Sequence, residues 1–73
     1  MREFIIRIND LNPLGEVTKE LERLGYQYDE NPEDAGIIIE HVHAFEDGVY
    51  ALYNFPAVPE LITSLSEIKK LPW

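Results

Sequence analysis

Seventy-three residues, no cysteine and a net charge of −8 describe a single small domain, near the lower size limit for a core that folds unaided. Without cysteine there is no disulfide framework and no thiolate zinc site, and a 45% hydrophobic share argues against disorder. No apolar run approaches the roughly 20 residues that span a bilayer, and no signal peptide opens the chain, so a soluble, cytoplasmic protein is expected.

The first element is the alternating, β-branched stretch Glu3 to Ile8, with Phe4, Ile6 and Ile8 on one side and Glu3, Ile5 and Arg7 on the other. A turn follows, and then a helix. Asn12 is the expected N-cap, Pro13 the first helical residue and Gly25 the C-terminal stop. Leu14, Val17, Leu21 and Leu24 form its apolar stripe. Tyr26 to Tyr28 can leave the helix as a short strand, and Asp29 to Gly36 read as a polar loop around Pro32. Ile37 to Phe45 then form a strand, Glu46-Asp47-Gly48 a hairpin loop and Val49 to Phe55 the returning strand. A three-residue loop ending in glycine suits a type I turn closed by a left-handed glycine. Val58, Leu61, Ile62, Leu65 and Ile68 mark a second helix, opened by Pro56 or Pro59, with Lys69 and Lys70 suited to its C-terminus.

This order predicts an α+β domain over residues 1–73. It is a βαββα two-layer sandwich, with a three-stranded antiparallel or mixed sheet and both helices on one face, ferredoxin-like but lacking the last strand. The hairpin loop pairs Phe45 with Val49, His43 with Ala51 and His41 with Tyr53. That register gathers Ile37, Ile39, His41, His43, Phe45, Val49, Ala51, Tyr53 and Phe55 on one side, the larger apolar set and hence the expected helix-facing side. The other side would then expose Ile5, Ile38, Val42, Tyr50 and Leu52, an apolar patch for self-association or a partner, and the first strand would leave an unpaired edge. A dimer is the expected oligomer.

The segment from Ile6 to Tyr28 resembles the opening of an ACT domain, where a strand runs into Asp-x-Pro-Gly, an amphipathic helix, a glycine and a second strand. Asp10, Pro13, Gly15 and Gly25 carry the likeness, although Leu14 separates the proline from the glycine. The resemblance implies a ferredoxin-like architecture and, as an alternative function, a regulatory domain that binds a small molecule.

The chemistry in the sequence is sparse. His41 and His43 share one side of a strand, the right direction for a common metal. Two ligands do not complete a site, Glu40 points to the other side, and no metal or other cofactor is expected. Asp29 to Asp34 lack the alternating pattern and terminal glutamate of a calcium loop. No serine or threonine stands in a recognisable triad spacing, and single glycines make no phosphate loop, so catalysis is not expected.

Charge is the more informative feature. Eleven of the fourteen acids fall between Asp10 and Asp47, opposed there only by Lys19 and Arg23. An acidic middle disfavours direct contact with nucleic acid or anionic lipid and suits a basic partner protein. The reading is a small, acidic, non-enzymatic inhibitor or adaptor, with Glu16, Glu20, Asp29, Glu30, Glu33 and Asp34 as its recognition residues. By analogy with phage and mobile-element proteins of similar size and charge, which block basic clefts by mimicking phosphate, the expected partner is a nucleic-acid-handling protein.

Overall fold

The computed structural model describes residues 1–29 and 38–72. They form a small α+β fold with a mixed five-stranded sheet and two helices. The elements run β1 (Phe4–Arg7), α1 (Leu14–Arg23), β2 (Gln27–Tyr28), β3 (His41–Ala44), β4 (Val49–Tyr53), a 3-10 turn (Pro59–Leu61), β5 (Ile62–Thr63) and α2 (Leu65–Ile68). The strand order across the sheet is β2-β4-β3-β1-β5. The β3–β4 hairpin and the β1–β3 pair are antiparallel, whereas β2 on β4 and β5 on β1 are parallel.

Two of these strands change the expected layout. The strand after α1 lies beyond the hairpin, so two strands separate it from β1, which departs from a ferredoxin-like order. On the other side, Ile62 and Thr63 pair with Ile5 and Ile6, so the first strand has no open edge there. The predicted second helix over Val58 to Ile68 is cut short by this pairing. β-branched Ile62 and Thr63 are better satisfied extended against β1, and Ser64 then starts a one-turn helix by accepting the Glu67 amide at 3.3 Å.

Local signals hold well elsewhere. Gly25 takes a positive φ of 100°, with its amide bonded to Glu22 O at 3.1 Å and the Tyr26 amide to Leu21 O at 2.9 Å. These are the paired bonds of a Schellman stop. At the hairpin, Gly48 has φ 94°, its amide reaches Phe45 O at 3.1 Å, and Phe45 N reaches Val49 O at 2.8 Å. The loop therefore sets the register as its length predicts: His41 opposite Tyr53 and His43 opposite Ala51.

The helix start is one residue later than the sequence implies. Pro13 occupies the cap position of α1. Asn12 instead joins three elements, its side-chain amide donating to Arg7 O at 3.1 Å and its Oδ1 accepting the Leu65 amide at 3.0 Å. Arg23 supplies a second tie between the helices. It pairs with Glu20 at 3.0 Å and donates to the carbonyls of Ile68 at 3.3 Å and Leu71 at 3.2 Å.

The core lies between the sheet and both helices. Val17 and Leu21 of α1, with Leu65 and Ile68 of α2, pack on Phe4, Ile6, Val42, Ala44 and Tyr50. This is the reverse of the expected facing. Val42, Tyr50 and Leu52, predicted as an exposed patch, are on the helix side, with Val42 fully buried and Leu52 packed at the margin. The reason is the β1–β3 register, which sets Ile6 against Val42 and Ile5 against His43. The histidine-bearing side must therefore share a surface with Glu3 and Arg7.

Candidate functional site

The side of the sheet away from the helices is built from two cross-strand rows. Ile62, Ile5, His43 and Ala51 make one row across β5, β1, β3 and β4, and Arg7, His41 and Tyr53 make the next. A chain of ring contacts crosses both rows. Phe45 stacks on His43 with centroids 4.0 Å apart and planes 7° from parallel. His43 meets Tyr53 edge-on at 6.1 Å, and Tyr53 meets Phe55 at 5.8 Å. α1 and α2 pack on the opposite side, yet Ile5, His41, His43 and Ala51 are all buried; β4 and β5 are parallel and three strands apart, so residues 54–61 have to cross the sheet between them. The rim is open: Phe55 is 55% and Ile62 43% exposed.

Both histidines hold their places through this packing. His43 Nε2 lies 2.6 Å from Glu3 Oε2. An ionised carboxylate only accepts, so Nε2 carries the proton in that bond. Nδ1 of each imidazole is buried without a hydrogen-bond partner. Among the described residues no three histidine, cysteine or acidic side chains converge as metal ligands. The hydroxyls near the helices are engaged locally. Thr18 donates to Gly15 O at 3.2 Å, and Ser64 lies 3.0 Å from Ser66 while capping α2.

The acidic residues separate into two kinds. Glu20 is mostly covered and is spent on Arg23, so it serves the helix–helix tie. Glu16 on α1 and Asp29 after β2 are exposed, with no cation bound to either among the described residues. Glu30, Glu33 and Asp34 lie outside the described residues. Glu22, which the sequence reading passed over, is exposed on α1, and its charge acts on Tyr50. The Tyr50 phenol is raised above its ordinary pKa, chiefly by burial, with Glu22 and Tyr28 adding to the effect. Burial likewise raises Tyr26, against the opposing pull of Arg2. The Tyr26 hydroxyl donates to Arg2 O.

Of the predicted apolar patch, Ile5 alone lies on the outer side of the sheet, while Ile38 precedes β3 and is 78% exposed. The outer-face residues that the sequence reading assigned to the core are Phe45, Tyr53 and Phe55. The polar ends of β1, Glu3 and Arg7, are the signal that would have placed them.

The turn that resembles an ACT-domain opening is closed by its own side chains. Asn9 Oδ1 accepts the amides of Leu11 at 3.0 Å and Asn12 at 2.9 Å. Beside it, Leu11, Asn12, Ser64, Leu65, Ser66 and Lys69 line an open hollow of about 330 Å³. No helix of the described residues is long and apolar enough to cross a membrane. No family model, no curated protein and no solved structure matches the chain.

Proposed function

We propose that this chain is a small, acidic, non-catalytic interaction protein that docks on a positively charged surface of another protein. The observation that carries this reading is the state of its acids. Glu16, Glu22 and Asp29 are exposed and bind no cation among the described residues, and Asp29 leads directly into Glu30, Glu33 and Asp34. A surface of this kind speeds association with a basic partner and repels phosphate, so an inhibitor or adaptor of a nucleic-acid-handling protein is the partner class it suits. The chemistry visible in the described residues supports the same reading: the hydroxyls cap or brace backbone, and the one imidazole–carboxylate contact is largely packed over by Phe45.

The test is charge reversal in the segment after β2. A Glu30→Lys, Glu33→Lys, Asp34→Lys variant should capture the cellular partner at least tenfold less well, a loss of about 1.4 kcal/mol. Wild-type capture should weaken steeply as salt rises. Equal capture by variant and wild type across a range of salt would remove this reading. A ligand-dependent rise in melting temperature with a free amino acid would instead favour the small-molecule regulatory alternative.

A further inference from the structure

We propose that the hollow at the start of β1, walled by Met1, Leu24, Tyr26, Leu71 and Pro72 and bordered by Arg2, binds a small hydrophobic monocarboxylate. Its apolar body would lie in the hollow and its carboxylate would meet the Arg2 guanidinium. The site uses none of the acids of the docking reading and stands independently of it. It also lies at the other end of β1 from the turn that resembles an ACT-domain opening.

The walls are set by the fold. Gly25, with φ 100°, reverses the chain between Leu24 and Tyr26. The Tyr26 ring meets Phe4 edge-on at 5.7 Å, and its hydroxyl donates to Arg2 O, so the phenol and the Arg2 backbone are fixed to each other. Leu71 is held by the Arg23 guanidinium, which donates to its carbonyl at 3.2 Å. Met1 lies across two glycines: an added Cβ at Gly25 would meet its Cε at 3.5 Å, and one at Gly48 its Sδ at 2.9 Å. The hollow holds about 450 Å³, within the roughly 300–1,000 Å³ range of small-ligand sites.

Charge identifies the ligand. Apolar walls alone would accept any apolar body, but the charged side chain bordering them is a cation. Arg2 is exposed and has no ion pair among the described residues, although acids outnumber bases 14 to 6 in the chain. Its charge reaches the hollow: burial raises the Tyr26 phenol, and Arg2 pulls against that rise. An apolar surface beside an unpaired guanidinium fits a ligand with the same division, and a carboxylate can accept two parallel bonds from it. The number of charges is limited as well. Arg2 and Leu71 also border an adjoining hollow lined by Glu3, Glu60 and Glu67. None of these acids is paired with Arg2, yet together they repel a second negative charge, so phosphates and dicarboxylates are disfavoured.

Octanoate is the probe, followed on the full chain by proton–nitrogen correlation NMR. It should shift the amides of Leu24, Tyr26 and Leu71 saturably and leave those of the Asn9 to Asn12 turn unmoved. Octan-1-ol keeps the apolar body without the charge, and butanoate keeps the charge on a shorter body; each should bind about tenfold more weakly. Arg2→Gln retains the backbone carbonyl that Tyr26 uses, so the fold should survive. This variant should bind octanoate about tenfold more weakly and octan-1-ol as wild type does. Inorganic phosphate should shift none of these amides. Octanoate that leaves the hollow's amides unmoved, or that binds wild type and Arg2→Gln alike, would overturn the proposal. So would a Trp73→Ala variant that binds octanoate where wild type does not, since the residue after Pro72 would then be the occupant.

Discussion

The side chain of Asn12 offers the sharpest test of how the two helices are held on the sheet. Read as a helix cap, Asn12 would serve the first amides of its own helix. The structure instead gives its Oδ1 to the amide of Leu65, 53 residues away, and its amide to Arg7 O. In Asn12→Ala the Leu65 amide, on a residue only 6% exposed, loses its acceptor, and the Arg7 carbonyl loses a donor in a more open setting. An orphaned buried amide costs roughly 1–3 kcal/mol and a partly exposed bond roughly 0.5–1, which sums to about 1.5–4 kcal/mol. For a domain of this size that lowers the melting temperature by about 6–30 °C.

Amide hydrogen exchange separates the two roles. If Asn12 tethers α2, protection should fall at Leu65 and the residues that follow it, while the amides of Gly15 and Glu16 change little. Asn12→Asp keeps the acceptor for Leu65 and loses the donor to Arg7, so its deficit should be the smaller of the two. Loss of protection at Gly15 and Glu16 with Leu65 unaffected would refute the tether. A melting temperature within a degree or two of wild type would refute it as well.

Arg23→Ala removes the second tie; with the guanidinium about a third exposed, the loss at the carbonyls of Ile68 and Leu71 should be about 1–2 kcal/mol in urea unfolding. Tyr26 and Tyr50 have folded pKa values raised above the ordinary 10, so the folded state holds their protons more tightly than the unfolded one. The stability they contribute is complete below pH 10 and is lost as pH climbs through the raised values, and Tyr50→Phe should shrink that alkaline loss. At Gly48, an added Cβ would sit 2.9 Å from Met1 Sδ at a φ of 94°, so Gly48→Ala should cost about 1 kcal/mol or more in thermal unfolding. Zinc titrated into chelator-stripped protein should leave the melting temperature nearly unchanged, and an equimolar rise that disappears in His41→Ala would contradict the structural role given to the histidines.

Local physics was legible in the sequence where one residue decides the geometry. Gly25 ends α1, and the spacing of Glu46-Asp47-Gly48 sets the hairpin register, because a left-handed glycine fixes each turn. The hairpin alone misleads on the facing of the sheet, because its larger apolar set lies with the histidines. Adding β1 reverses the balance: Phe4, Ile6 and Ile8 must lie with Val42, Ala44, Tyr50 and Leu52, while Glu3 and Arg7 go with the histidines. The short strand β5 was hidden for a different reason. Leu61, Ile62, Leu65 and Ile68 fit a helical period, and only Ser64 with Glu67 three residues on marks where the helix begins. Of the candidate site, the exposure of Glu16 and Asp29 followed from their positions, and the pairing of Glu20 with Arg23 is an i,i+3 helix contact that the spacing already offers; only the reach of Arg23 to the Ile68 carbonyl is encoded by no local pattern.

The size of the chain gives the outer face its significance. Two short helices cover one side of the sheet, and a domain this small has little further apolar surface to spare for a second layer. The row of Ile5, His43 and Ala51 is nonetheless buried within the single chain. The topology supplies the reason: β4 and β5 run parallel and three strands apart, so residues 54–61 must carry the chain across the sheet before β5 can begin. Phe45 stacking on His43, and Glu3 held to its Nε2, close the row further. The outer face is thus a second, smaller core.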